Sequence, residues 1–116
     1  MSKDLIDILI EKREREDKFF KNYLYYAKEI KEEAQKILNP IKVFVFGSIL
    51  RKDEIPNDID ILIISPKLRT NEEKTKVRVK IWKKIGMSSP FEIHLITPED
   101  FRDWYSHFIK EEKVEI

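Results

Sequence analysis

The sequence has no cysteine and only two glycines among its 116 residues. Without thiols the chain can form neither a disulfide framework nor a thiolate metal site. It also lacks an apolar run of about 18 residues, the length needed for a membrane-spanning helix. No segment resembles a signal peptide, so the sequence predicts a soluble cytoplasmic protein that makes no use of a membrane.

An excess of charge of one sign is missing as well. Lysine and arginine number 23 against 22 aspartates and glutamates, for a formal net charge of +1. Proteins that bind nucleic acid nonspecifically usually carry a clear basic excess, so that class is disfavoured. Any anionic ligand must be held by local groups. The length favours a single domain spanning residues 1–116.

The N-terminal region, residues 1–38, contains neither glycine nor proline and is dense in lysine, glutamate and arginine. This composition predicts a long helical region. The charged run from Glu11 to Lys18 is interpreted as a solvated stretch of helix, within which a break between two helices can lie. Apolar side chains at three- and four-residue intervals predict one stripe that packs on a sheet: Phe19, Phe20, Tyr23, Leu24, Ala27, Ile30, Ala34, Ile37 and Leu38.

Three short apolar segments, residues 41–46, 59–64 and 91–96, are rich in β-branched and aromatic side chains and predict strands. Between the second and third, residues 71–85 have helical spacing and stop at Gly86. The chain should therefore form an α/β (α+β) domain in which a small mixed sheet of three or more strands packs against helices. Residues 41–96 would form the central, site-bearing segment of this domain.

The last segment, residues 97–112, predicts a C-terminal helix. Thr97 is a suitable N-cap, and Pro98 suits the first helical position. The apolar face of this helix would consist of Phe101, Trp104, Tyr105, Phe108 and Ile109.

Two aspartates stand at the start of the second predicted strand. Side chains alternate along a strand, so Asp58 and Asp60 should emerge on the same face, roughly 6 to 7 Å apart at the backbone. The apolar run 61–64 follows them directly. Two carboxylates at the mouth of a buried strand repel each other, and a divalent cation removes that repulsion. Oxygen ligands of this kind suit Mg²⁺ or Mn²⁺.

The first predicted strand ends at Gly47-Ser48, which offers an anion site. Glycine permits positive φ and a close approach of the backbone to a ligand. Serine at the start of a helical turn provides a hydroxyl and nearby N–H groups, for which phosphate is the natural anion. Arg51, three residues further on, can contact that phosphate or pair with a neighbouring acid.

The pattern Phe46-Gly47-Ser48-x-x-Arg51 followed by Asp58-x-Asp60 resembles the polymerase-β-type nucleotidyltransferase superfamily, and in size the chain resembles its minimal members. The resemblance covers about residues 41–96. It implies the polymerase-β-like fold and a Gly-Ser turn that holds the nucleoside triphosphate.

The resemblance also implies two metal ions, Mg²⁺ or Mn²⁺, held by Asp58, Asp60 and a third acid on a later strand. Glu92 matches the third position, where the family usually has aspartate; Glu99 or Asp100 are alternatives. Lys52 follows Arg51 where family members often have glycine. His94 shares the strand parity of Glu92, but a lone histidine on a strand is more often structural, so it is left out of the site.

The function that this resemblance implies is transfer of a nucleoside monophosphate, AMP from ATP, to a hydroxyl of a protein or other acceptor. Small members often resemble antitoxins paired with a HEPN-type ribonuclease, so a HEPN-type toxin or a second copy of the chain is the expected partner. Two alternatives stay open. One is a non-catalytic module that binds a nucleotide or partner, and the other is a two-metal nuclease using the same acids.

Overall fold

The computed structural model describes residues 3–105 and 112–116, with side chains described for 3–103 and 112–116. Within these residues, four strands form one mixed sheet: β1 (Lys42–Phe46), β2 (Ile59–Ile64), β3 (Phe91–Ile96) and β4 (Lys113–Glu115). Their order is β3-β2-β1-β4. Strand β2 runs antiparallel to β1 and parallel to β3, and β4 runs antiparallel to β1. The predicted α/β class with a small mixed sheet is confirmed.

The helices are α1 (Leu5–Lys21), α2 (Tyr23–Gln35), α3 (Asn71–Ile85) and the single turn α4 (Pro98–Asp100). Helix α3 makes the crossover that parallel strands require, between β2 and β3. Its N-cap is Thr70, whose hydroxyl accepts a hydrogen bond from the Glu73 amide, and its C-cap is Gly86. Among the described residues, no helix is both long enough and apolar enough to cross a membrane.

The N-terminal region does break into two helices, but at Asn22 rather than within the charged run. Asn22 donates hydrogen bonds to the Lys18 carbonyl from both its side chain and its backbone, which ends α1. The charged run is not wholly solvated, because Glu16 is buried. Arg13 donates to the Pro56 carbonyl at 2.7 Å. The predicted stripe is buried in large part, although Leu24 and Ile37 are exposed.

The predicted C-terminal helix is corrected by the structure. The turn α4 continues into a short π-helical segment, Phe101–Tyr105. Phe108 and Ile109 lie outside the described residues, as do the side chains of Trp104 and Tyr105. Residues 113–115 then form β4, which was not predicted, because a three-residue strand with two charged side chains has no apolar pattern of its own. Pairing with β1 creates it.

The sheet has two faces of different character. The face covered by α1, α2 and α3 carries the odd-numbered residues of the first three strands. Phe91 is partly buried there, and the others are buried: Val43, Val45, Ile59, Ile61, Ile63, Ile93 and Leu95. The other face carries even-numbered residues. Part of it is a small apolar cluster of Leu62, Ile64 and Ile96 with Phe44, Phe46 and Phe101 packed against it. The polar side chains of the candidate site lie on this second face.

Candidate metal and nucleotide site

The centre of the site is a pair of carboxylates on adjacent strands. Asp60, near the start of β2, lies directly opposite Glu92 of β3 in the parallel register. On its other side Asp60 is opposite Phe46, the last residue of β1. The apolar run that follows Asp60 is buried on both faces of the strand, and a slip of one residue would turn the Asp60 carboxylate toward the helix-covered core, which disfavours any other register. The sequence-predicted residues Asp60 and Glu92 are therefore brought together.

His94 completes this group from the same sheet face. Its Nε2 lies 3.2 Å from Oδ1 of Asp60 and 3.9 Å from Oε1 of Glu92. Its ring also contacts the ring of Phe46, with a centroid separation of 5.3 Å. One potential ligand atom from each of Asp60, Glu92 and His94 lies within 4.8 Å of the other two.

This donor set fits a divalent cation. Two carboxylate oxygens and an imidazole nitrogen are common ligands of such ions in proteins. The side chains of Asp60 and His94 are mostly buried, at 20% and 23% exposure, whereas that of Glu92 is 57% exposed. An ion held there would be supported from the sheet and would remain open to a substrate on the side of Glu92.

The sequence predicted that Asp58 and Asp60 converge on one metal site, and the structure places Asp58 apart from that group. It precedes β2 and is exposed. In the part of the chain that the structure describes, the group of converging metal ligands contains Asp60, Glu92 and His94 and does not contain Asp58. Asp58 does line an open cleft of about 500 Å³ together with Glu92, Lys12 and Ser88. Its role as a ligand stays a prediction.

Gly47 forms the wall beside Asp60. Its φ is +85° and its ψ is −156°, a combination that is almost restricted to glycine. A Cβ atom built on Gly47 would lie 3.3 Å from Cγ of Asp60 and closer still to Oδ2. The absence of a side chain therefore lets the backbone turn against the carboxylate. The sequence predicted a close approach of this backbone to a ligand; the neighbour in the structure is the Asp60 side chain, and the approach to a ligand stays a prediction.

The turn after Gly47 is a short 3-10 helix, Ser48–Leu50, in which Ser48 is half-buried. The Leu50 amide donates to the Gly47 carbonyl, and the Arg51 amide donates to the Ser48 carbonyl. These bonds hold Gly47 and Ser48 in a tight turn at the end of β1. Phosphate binding by Gly47 and Ser48 stays a prediction.

Arg51 pairs with acids in this structure, one of its two expected roles. Its Nε donates to Glu112 at 2.8 Å and its Nη1 to Glu54 at 3.2 Å. The hydrogen bond and charge of Glu112, followed by those of Glu54, raise the pKa of the guanidinium further above its ordinary value. All three side chains are about half exposed, so the pairs are weak and Arg51 can turn toward another anion.

The alternative third acids, Glu99 and Asp100, lie on α4 beyond the end of β3. Glu99 faces Arg69, with 3.8 Å between the charged atoms. Neither acid belongs to the group around Asp60, as far as the described residues go. The geometry thus favours Glu92 over both.

His94, which the sequence interpretation left out of the site, belongs to the converging group in the structure. The signal was available, because Glu92 and His94 are two residues apart on one strand and must share a face. The sequence could not show which strand lies beside β3. The parallel strand β2 places Asp60 opposite Glu92, and the His94 side chain reaches Asp60 from the same face. His94 has no metal-binding residue type in a recognisable motif around it in the sequence, but the fold brings two carboxylates next to it.

Comparison with known proteins identifies the family of the chain. The family described as nucleotidyltransferase domain matches residues 27–116. No curated protein matches the chain. A crystal structure assigned as a nucleotidyltransferase is 31% identical, with a TM-score of 0.62 over 75% of this chain and 95% of that one. Another, from Sulfolobus solfataricus, is 22% identical, with a TM-score of 0.56 over 91% of this chain and 83% of that one, and supports the fold alone.

Proposed function

Because the chain belongs to the nucleotidyltransferase domain family, we propose that it transfers a nucleoside monophosphate from a triphosphate, ATP in the first instance, to an acceptor hydroxyl. In this reaction the acceptor oxygen bonds to the α-phosphorus, the bond to the β-phosphate oxygen breaks, and pyrophosphate leaves. The observation that carries the proposal is the pairing of Asp60 with Glu92 beside the Gly47 turn.

Two divalent cations, Mg²⁺ or Mn²⁺, are the proposed cofactors. When bound, such ions neutralise the charge of the triphosphate and of the departing pyrophosphate. Asp60 and Glu92 have the position to hold an ion between the two strands, and Asp58 lies on the cleft beside Glu92. We therefore assign Asp58, Asp60 and Glu92 as the proposed metal ligands of the reaction.

The roles of the chain's other residues follow from position. Gly47 and Ser48 would receive the triphosphate at the turn after β1, and Arg51 would leave Glu54 and Glu112 to contact a phosphate. Glu92 is the most exposed member of the carboxylate and imidazole group, so it is the member closest to an incoming acceptor. Its carboxylate would take the proton from the attacking hydroxyl.

A protein hydroxyl is the proposed acceptor, with a HEPN-type ribonuclease as the partner to test first. Supporting this, the N-terminal half of α1 lies outside the segment that matches the family and presents five exposed aliphatic side chains: Leu5, Ile6, Ile8, Leu9 and Ile10. Contiguous exposed apolar side chains are typical of a protein contact surface. The proposed relationship is that of an antitoxin and its toxin.

The test is incubation of the chain with α-labelled ATP, Mg²⁺ or Mn²⁺, and the ribonuclease. Wild type should label the partner, and Glu92→Gln should lower turnover about a hundredfold or more while changing nucleotide affinity little. Glu99→Gln is the matched control, since it alters another acid just beyond the same strand. If Glu92→Gln kept full turnover, or Glu99→Gln lost it, the assignment of the third acid would be wrong.

The same reaction mixtures separate the competing functions. Cleaved nucleic acid without labelled protein would indicate a two-metal nuclease. A tight complex with the ribonuclease, formed without label transfer in either metal, would indicate a non-catalytic binding module. Either result would overturn the transferase proposal.

A further inference from the structure

His94 occupies a position that the proposed reaction does not use. Its Nε2 points between the two carboxylates, 3.2 Å from Asp60 and 3.9 Å from Glu92. The imidazole is mostly buried against the ring of Phe46, which limits how far it can swing away. A basic nitrogen is thus held at the edge of the proposed metal site.

The separation between these atoms matches a shared metal ion. In octahedral coordination with bonds of about 2.1 Å, two ligands in neighbouring positions are about 3.0 Å apart. The distance from Nε2 of His94 to Oδ1 of Asp60 is close to that value. The distance to Glu92 is longer, but the Glu92 side chain is exposed and can rotate to close it.

The chemistry of the added ligand has a consequence for metal choice. Mg²⁺ prefers oxygen ligands and takes few others from proteins, whereas imidazole suits first-row transition ions. A site built from Asp60 and Glu92 alone would favour neither class strongly. With an imidazole nitrogen among its ligands, the site gains affinity mainly for the transition ions.

We propose that His94 is a direct ligand of the metal held between Asp60 and Glu92, and that it shifts the preference of this site from Mg²⁺ toward first-row transition cations such as Mn²⁺. The inference rests on the proposed function only for the existence of a metal site. In the metal-free protein Nε2 lies within hydrogen-bonding distance of Oδ1 of Asp60. To bind the metal, the imidazole would hold its proton at Nδ1 and release any Nε2 proton to solvent, so that the Nε2 lone pair and the Asp60 carboxylate both face the ion.

The experiment uses the full chain, without nucleotide, and Mn²⁺ as the probe. Electron spin-echo spectra of the Mn²⁺-loaded protein reveal a nitrogen bonded directly to the ion. In a titration with Mn²⁺, the electron paramagnetic resonance signal of unbound Mn²⁺ gives the Mn²⁺ affinity. Repeating the titration with Mg²⁺ as competitor gives the ratio of the Mn²⁺ and Mg²⁺ affinities. The chain has two histidines, so His107→Gln serves as the control for His94→Gln.

Wild type and His107→Gln should show directly bonded nitrogen, and His94→Gln should not. The Mn²⁺ to Mg²⁺ affinity ratio should fall about tenfold or more in His94→Gln only, a loss typical of changes to metal-site residues. Binding of Mn²⁺ without bonded nitrogen, or an unchanged ratio, would overturn the role of His94 and leave the transfer reaction standing. Failure of wild type to bind either metal would contradict both proposals.

Discussion

Gly47, at the end of β1, lies against the Asp60 carboxylate of β2 so closely that any side chain at position 47 would collide with it. A Cβ at position 47 would lie 3.3 Å from Cγ of Asp60 and would overlap Oδ2. The glycine also has a φ of +85°. Two separate constraints, backbone conformation and space, therefore act at one residue, and only the second involves the candidate site.

Substitution of Gly47 separates these constraints when it is compared with Gly86. Gly86 has a similar backbone conformation, with φ of +92°, but no atom within 4 Å of an added Cβ. Both Gly47→Ala and Gly86→Ala should lower the free energy of unfolding, by about 1 to 3 kcal/mol from backbone strain. Denaturant titration measures this loss.

The difference between the two variants should appear in metal binding. Only Gly47→Ala displaces the Asp60 carboxylate, so only this variant should weaken Mn²⁺ binding. The electron paramagnetic resonance signal of unbound Mn²⁺ measures the affinity, at a temperature where both variants are folded. Equal metal affinity in the two variants would show that the contact with Gly47 does not control the position of Asp60.

The two aspartates of the Asp-x-Asp pair should not be equivalent. Asp60 is mostly buried and meets Glu92 and His94, whereas Asp58 is exposed and lines the cleft. We expect Asp60→Asn to abolish metal binding without nucleotide, and Asp58→Asn to reduce it by less than about tenfold. Asp58→Asn should nevertheless impair label transfer if Asp58 holds an ion together with the triphosphate.

Calorimetric titration with Mn²⁺, with and without a non-hydrolysable ATP analogue, distinguishes these cases. Asp53→Asn is the control, because Asp53 is an exposed acid in the same connection between β1 and β2. Identical behaviour of Asp58→Asn and Asp53→Asn in both binding and transfer would remove Asp58 from the site.

Features of the structure that depend on neighbouring residues in the sequence could be predicted, whereas features that depend on distant residues could not. The runs 41–46, 59–64 and 91–96 became strands because each carries enough buried apolar side chains to define its own register. The three-residue strand β4 could not be foreseen, since two of its residues are charged and its partner strand β1 lies 67 to 71 positions away in the sequence. The break at Asn22 depended on one side-chain bond within an otherwise uniform helical sequence.

The candidate site shows the same division. The parity of Asp60 along its strand, and the freedom of Gly47 to adopt positive φ, are local properties and could be inferred from sequence. The inclusion of His94 and the exposure of Asp58 depend on which strand lies beside β2 and on where β2 begins. The pairing of Arg51 with Glu112 joins residues 61 positions apart and had no local signal.

Arg51 should contribute to triphosphate affinity despite its ion pairs. Exposed pairs such as those with Glu54 and Glu112 contribute about 0 to 1 kcal/mol, whereas a charge-assisted bond to phosphate contributes more. Arg51→Gln should therefore weaken ATP binding about tenfold, and Glu112→Gln should leave it unchanged or slightly stronger. Arg69→Gln, which removes a comparably exposed arginine paired with Glu99, is the control.

Fluorescence titration with a labelled ATP analogue at low and high salt measures these affinities. The difference between wild type and Arg51→Gln should shrink as salt rises, because the contact is electrostatic and exposed. If Arg51→Gln and Arg69→Gln bind ATP equally well, then Arg51 only tethers the segment around Glu112 and has no part in the nucleotide site.

Stability should depend on the helix-covered face of the sheet and not on the apolar N-terminal half of α1. Ile61 is fully buried in the main core, whereas Leu9 is 54% exposed. Ile61→Ala should lower the free energy of unfolding by about 2 to 5 kcal/mol, since it removes buried methyl groups and leaves a cavity. Leu9→Ala should change it by no more than about 0.5 kcal/mol, as is usual for surface positions.

Urea titrations of the isolated chain at two protein concentrations measure both effects. A large, concentration-dependent loss in Leu9→Ala would mean that α1 is covered by a second copy in solution, and the surface proposed for the ribonuclease would then belong to a homo-oligomer.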